Sequence, residues 1–117
     1  MKRAGEIVKQ KRIDVGLTLR TFCNQIDFDS SNWSKIERGL LEFPKSGLIL
    51  SAIAETLKMS DEEIREVKDV ALVEAIPDGL KPEEDVLKAL PVFFRTSRVE
   101  NPSDEQLKEL INLIRKH

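Results

Sequence analysis

Ser30, Ser31, Asn32, Ser34 and Lys35 place hydroxyls, an amide and a cation within six residues of one another. An Asn amide can pair with an adenine edge, a Lys can donate to guanine or to phosphate, and a Ser hydroxyl can donate or accept. Basic groups suited to phosphate neutralisation stand at Lys2, Arg3, Arg20, Lys35, Arg38 and Lys45, where solvated helix-face charge is the alternative reading. Covalent and metal chemistry has far less to work with. The chain has one cysteine, Cys23, and one histidine, His117, so neither a His/Cys metal cluster nor a Cys/His catalytic pair is expected. The carboxylates fall on charged helix faces and caps, without a nucleophile and base set or a phosphate loop. The expectation is a non-enzymatic protein with no cofactor and no metal.

Charge has to be resolved along the chain. The 117 residues carry 19 Lys and Arg against 21 Asp and Glu, a net of −2, which excludes a protein coated all round with positive charge. Residues 1 to 45 nevertheless hold nine basic and six acidic groups, a net of +3. The remainder holds ten and fifteen, a net of −5. A basic first third and an acidic remainder fit a phosphate-facing unit joined to one that faces another partner, although differences this small also arise on solvated helices. The lone thiol fits a reducing compartment, and no apolar run approaches the roughly 20 residues that cross a bilayer. A cytoplasmic protein without a membrane span or export signal is expected.

The elements that must position these groups read as helices, since strand-like alternation is nearly absent. A first helix from about Arg3 to Val15 has Ala4, Val8 and Val15 on one face and stops at Gly16. Thr18 caps a second through Ile26, with Leu19, Phe22, Cys23 and Ile26 inward. Asp27-Phe28-Asp29 makes a turn in which Asp27 tolerates positive φ and Asp29 caps a third helix, Ser30 to Arg38, with Trp33 and Ile36 inward. Ser46 opens a fourth helix with an apolar stripe of Leu48, Ile49, Ile53, Ala54 and Leu57. Ser60 and Glu63 form a capping box for a fifth that runs to about Ala75.

Two short helices joined by a tight turn, the second presenting small polar and basic residues, form a geometry that places a helix in the DNA major groove. Gly5-Glu6, Arg12, Gly16-Leu17-Thr18, Phe22-Cys23, Phe28, Ser31 to Gly39, Pro44 and Ile53-Ala54-x-x-Leu57 strongly resemble the helix-turn-helix family of XRE and phage-repressor type. The resemblance covers about residues 3 to 75, and Ser34-Lys-Ile-Glu-Arg-Gly39 is its most specific piece. It implies an all-α, five-helix lambda-repressor-like domain over residues 1–76, with residues 30–38 as the recognition helix. Carried over by position, Thr18, Arg20, Asp29, Ser30, Ser31, Asn32, Lys35, Arg38 and Lys45 are the implied DNA-binding set. Arg12 and Glu37 match positions that form an ion pair between the first helix and the end of the recognition helix. Trp33 stands where relatives usually carry an aliphatic residue, and Cys23 at a small inward position, so both read as core. Leu19 in place of a common Gln, Asp27 in place of a turn glycine, and Leu40-Leu41-Glu42-Phe43, which lacks the basic residues that often touch DNA after the recognition helix, depart from the pattern.

Pro77-Asp78-Gly79 and Pro82 end this domain, leaving residues 77–117 as an extension. Within it, Glu83 to Phe94 reads as a short helix or a partly extended segment that finishes in Leu90-Pro-Val-Phe-Phe-Arg95. Ser103 to Gln106 is a second capping-box sequence ahead of an amphipathic final helix. Leu90, Val92, Phe93, Phe94, Leu107, Leu110, Ile111 and Ile114 are candidate contacts for a dimer mate or another partner, or else a face that folds back on residues 46 to 75. Two functions are therefore expected. One is a sequence-specific transcriptional regulator, a repressor, that binds double-stranded DNA as a homodimer. The alternative is an antitoxin-like or adaptor protein that binds a co-encoded protein through its extension.

Overall fold

The computed structural model describes residues 2–97 and 102–116, apart from the side chains of Arg95 and Ser97; Met1 and His117 lie outside the described residues. Seven α-helices and no strands occur among them. They are α1 (Ala4–Asp14), α2 (Leu19–Ile26), α3 (Ser30–Glu37), α4 (Gly47–Leu57), α5 (Asp61–Glu74), α6 (Glu84–Ser97) and α7 (Asp104–Lys116), with a 3₁₀ turn at Asp78–Leu80 before α6. No helix is long and apolar enough to cross a membrane.

Local chemistry sets most of the boundaries. The Thr21 amide donates to Thr18 Oγ1 at 3.1 Å to start α2, and the Asn32 amide donates to Asp29 Oδ2 at 2.9 Å to start α3. Asp27 closes α2 with φ of 54°, a left-handed conformation that Asp accepts more readily than most residues. Reciprocal bonds of 3.1 Å between Ser60 and Glu63 complete the capping box of α5. Ser103 and Gln106 do the same for α7 at 3.0 and 3.2 Å.

Two apolar clusters lie along the chain. The first gathers Ala4, Val8, Phe22, Cys23, Ile26, Trp33, Ile36, Phe43, Leu50, Ile53, Leu57 and Val67 from the first five helices and the loop after α3. Trp33 is its centre, with ring centroids of Phe22 and Phe28 at 5.3 Å and Phe43 at 5.7 Å, in the tilted and edge-on arrangements that aromatic quadrupoles favour. The second cluster joins Leu72 and Val73 of α5 and Ile76 to Val86, Leu90, Phe94, Leu107, Leu110 and Ile111. One helix, α5, serves both. The result is elongated, 46 × 26 × 21 Å, with a radius of gyration of 14.8 Å against about 13 Å for a compact chain of this length.

Three sequence expectations change. Val15 is the C-cap of α1, its amide still bonded to the Lys11 carbonyl at 3.0 Å, and is 41% exposed, past the end of the face that buries Ala4, Val8 and Arg12. Leu48, assigned to the core stripe of α4, is 86% exposed: it shares the outward face with Ser51 and Glu55. The segment from Glu84, open between a short helix and a partly extended segment, is one fourteen-residue helix that continues through Pro91 to Ser97. Pro91 removes an internal hydrogen bond, and burial of Val86, Leu90 and Phe94 on one face offsets that loss.

Candidate nucleic-acid interface

The outward side of α3 presents Ser31, Asn32, Lys35 and Arg38 to solvent, with Ser30 and Ser34 half-buried beside them. Eight residues give a helix about 12 Å long, enough for two turns of contact. Leu19 of α2 and Ser30, Ser31, Ser34, Lys35 and Arg38 line a shallow groove of about 340 Å³. Lys35 and the exposed Arg20 form no ion pair among the described residues, which leaves both charges available to an anion.

The other candidate contacts already have local work. Thr18 accepts from the Thr21 amide and shares a 2.9 Å hydroxyl bond with Thr21. Asp29 holds the first turn of α3, where a carboxylate also complements the helix dipole. Arg38 Nε donates to the Ser34 carbonyl at 3.3 Å, and Lys45 Nζ lies 2.7 Å from Glu42 Oε1. Of the other phosphate candidates, Arg3 pairs with Glu6 at 2.7 Å, while Lys2 is exposed.

Beneath the outward face lies a buried polar network that fixes α3. Arg12 Nε donates to Glu37 Oε2 at 2.9 Å and Arg12 Nη2 to Glu37 Oε1 at 3.0 Å. Arg12 Nη1 reaches the Leu17 carbonyl at 2.8 Å, and Trp33 Nε1 donates to Glu37 Oε2 at 3.0 Å. Every buried side-chain polar atom among the described residues has a partner. A planar guanidinium forked onto a carboxylate fixes direction as well as distance, so α1 and α3 are locked in angle. A buried pair of this kind contributes orientation more dependably than net stability. Cys23 lies in the same core, and burial pushes its thiol pKa up, which disfavours the reactive thiolate.

Two positioning contacts carry no plain signal in the sequence. A Cβ on Gly5 would run into the Ile36 carbonyl oxygen, so α1 crosses the end of α3 at a point only glycine allows. The Ala4 amide donates to Glu74 Oε1 at 2.6 Å, so a carboxylate from the far end of α5 caps α1. Burial pushes the Glu74 pKa up despite that bond. The Trp33 bond was more accessible to inspection: a buried indole needs an acceptor, and Glu37 lies one helical turn away.

Most candidate partner-contact residues of the extension face inward. Leu90, Phe94, Leu107, Leu110 and Ile111 are buried in the second cluster, and Phe93 and Ile114 pack against it. Val92 alone of that set points out, 62% exposed. Glu83 and Arg115 link the start of α6 to the end of α7 through bonds of 2.8 and 2.7 Å. No group of three or more His, Cys, Asp or Glu among the described residues is placed to hold a metal ion. No protein-family model matches the chain, and neither a curated protein nor a solved structure matches it.

Proposed function

We propose that this chain is a sequence-specific DNA-binding transcriptional regulator, a repressor that acts as a homodimer and lays α3 in the major groove. In this reading α1 to α5 form a lambda-repressor-like helix-turn-helix domain over residues 1–76, and residues 77–117 are its extension. The observation that carries the proposal is the outward face of α3, Ser31, Asn32, Lys35 and Arg38, on a helix whose inward face is fixed by Trp33 and Glu37. Asn32 and Lys35 supply base-edge and phosphate contacts, and Arg20 adds a phosphate contact from α2. The serines are short, so direct readout is modest and DNA shape contributes the remainder. Selection from random duplex DNA, followed by binding titrations in a salt series, tests the proposal. A recovered site that loses affinity on Lys35→Ala, with a shallower salt slope, supports it. A folded protein with no sequence preference overturns it.

A second reading is supported by the segment that follows α3. Leu40 and Leu41 are 64% and 43% exposed, and no cation stands between Arg38 and Lys45 to meet phosphate there. Apolar exposure beside the proposed groove suits a protein contact, as in an antitoxin-like or adaptor module. Pull-down of a co-encoded protein that persists when Lys35 is replaced, and is lost on Leu40→Ser with Leu41→Ser, favours this reading.

A further inference from the structure

Leu48 is the most exposed large apolar side chain among the described residues, at 86%. It stands on the first turn of α4, and Ser51 and Glu55 continue the same outward face. Beside that face runs a groove of about 500 Å³, with Gly47, Leu50, Ser51 and Ala54 on the α4 side and Asp61, Ile64, Arg65 and Lys68 on the α5 side. The short turn from Lys58 to Ser60 joins the two helices, so Ala54 and Asp61 lie toward the joined end of the groove and Gly47 and Lys68 toward the other, with Ile64 and Arg65 side by side between them.

We propose that this face docks a second copy of the chain, with the two α4 helices antiparallel about a two-fold axis at Ser51. That axis sets Leu48 of one copy opposite Ala54 of its mate, where it enters the groove against Ile64. It sets Glu55 opposite Gly47, on the side of the groove where Arg65 and then Lys68 follow Ile64 along α5. Neither Glu55 nor Arg65 has an ion-pair partner within its own chain among the described residues, so the two charges complement each other across the axis. An isologous contact repeats each of these pairings twice. Most of the apolar stripes of α6 and α7 are spent within the chain against α5, leaving Val92 and Leu113 as separate exposed apolar side chains there. A single pair of three-turn helices covers less than the roughly 800 Å² per partner of a standard interface, so association is weak and concentration-dependent. The inference deepens the proposed function by naming its dimer surface, and it rests on that reading only for the dimer's use on DNA.

Sedimentation velocity of the full chain without DNA tests it over a concentration series. The expected result is a monomer–dimer equilibrium that Leu48→Glu weakens at least tenfold, without loss of helical circular dichroism. Arg65→Glu should weaken it as well, and Glu55→Arg in the same chain should restore it. Ser51→Cys, lying on the axis, should give a disulfide-linked dimer on mild oxidation. A chain that stays monomeric, or a dimer indifferent to Leu48→Glu and to the charge swap, overturns the surface. Dimerisation with these responses but no DNA preference removes the operator reading and leaves the surface standing.

Discussion

Arg12 and Glu37, 25 residues apart in the chain, meet through two nearly parallel hydrogen bonds of 2.9 and 3.0 Å in the interior. Glu37 also accepts from Trp33, so one carboxylate ties α1 to α3 and holds the rotation of α3 about its own axis. Removing Glu37 leaves a buried guanidinium and a buried indole N–H without acceptors. Glu37→Ala should therefore cost about 3–5 kcal/mol, whereas Arg12→Met with Glu37→Leu should cost less than Glu37→Ala alone. Urea unfolding of the three proteins checks the order, and equal losses would mean that burial of charge is not the cause.

Trp33 is the sole tryptophan and sits at 0% exposure at the centre of the first cluster. Trp33→Ala should destabilise by about 3–5 kcal/mol through the cavity it leaves. In the native chain its emission should be blue-shifted and should move red in the same urea transition as the helical circular dichroism. Separate transitions would show that the two apolar clusters unfold independently.

Gly5→Ala should destabilise by about 1–3 kcal/mol, because the added methyl meets backbone at Ile36 that has no rotamer to yield. Gly47→Ala is the control, since a Cβ there meets nothing and the change favours helix. Thermal melts of both variants check the contrast, which would vanish if α1 could slide off α3 without penalty.

Asp29 separates capping from recognition. Asp29→Asn keeps a good N-cap, so stability should change by only a few tenths of a kcal/mol, while Asp29→Ala should lose about 1 kcal/mol. If α3 faces DNA, the loss of one negative charge in Asp29→Asn should tighten binding at low salt. Binding titrations that show no change would place Asp29 away from the phosphates.

Two glutamates should respond to pH with opposite sign. Hydrogen bonds from Arg115 hold the Glu83 pKa down to about 2, so its contribution is present above the ordinary value of 4.5 and fades as pH falls toward 2. Burial raises the Glu74 pKa, so its contribution is fullest below 4.5 and is lost as pH rises through the raised value. Glu83→Gln should flatten the acid limb of the stability profile, and Glu74→Gln the slope above pH 4.5. Denaturant midpoints across pH 2 to 7 measure both, and unchanged profiles would remove the assignments.

The helix series was legible because caps and periodicity are local. Thr18, Asp29 and Ser60 sit where a hydroxyl or carboxylate reaches the orphan amides of the next turn, and that geometry needs only neighbours in the chain. Asp27 announced a left-handed residue for the same reason. The exposed face of α3 followed from its period once Trp33 and Ile36 were inward. Leu48 misled because helical spacing placed it in a stripe, whereas the positions of α2 and α5 decided which side of α4 was covered. The course of α6 through Pro91 was not legible either: a proline penalty is local, and the burial that offsets it comes from α5 and α7.

By itself, then, the sequence determined the all-α composition, the caps that start α2, α3 and α5, and which polar groups α3 offers outward. Tertiary structure decided how those helices are held together. Gly5 against Ile36, Glu74 on the amide of Ala4, and the inward turn of Leu90, Phe94, Leu107 and Leu110 join groups far apart in the chain. No window of sequence contains both partners of such a contact, because it forms only when packing brings distant helices together and buries them.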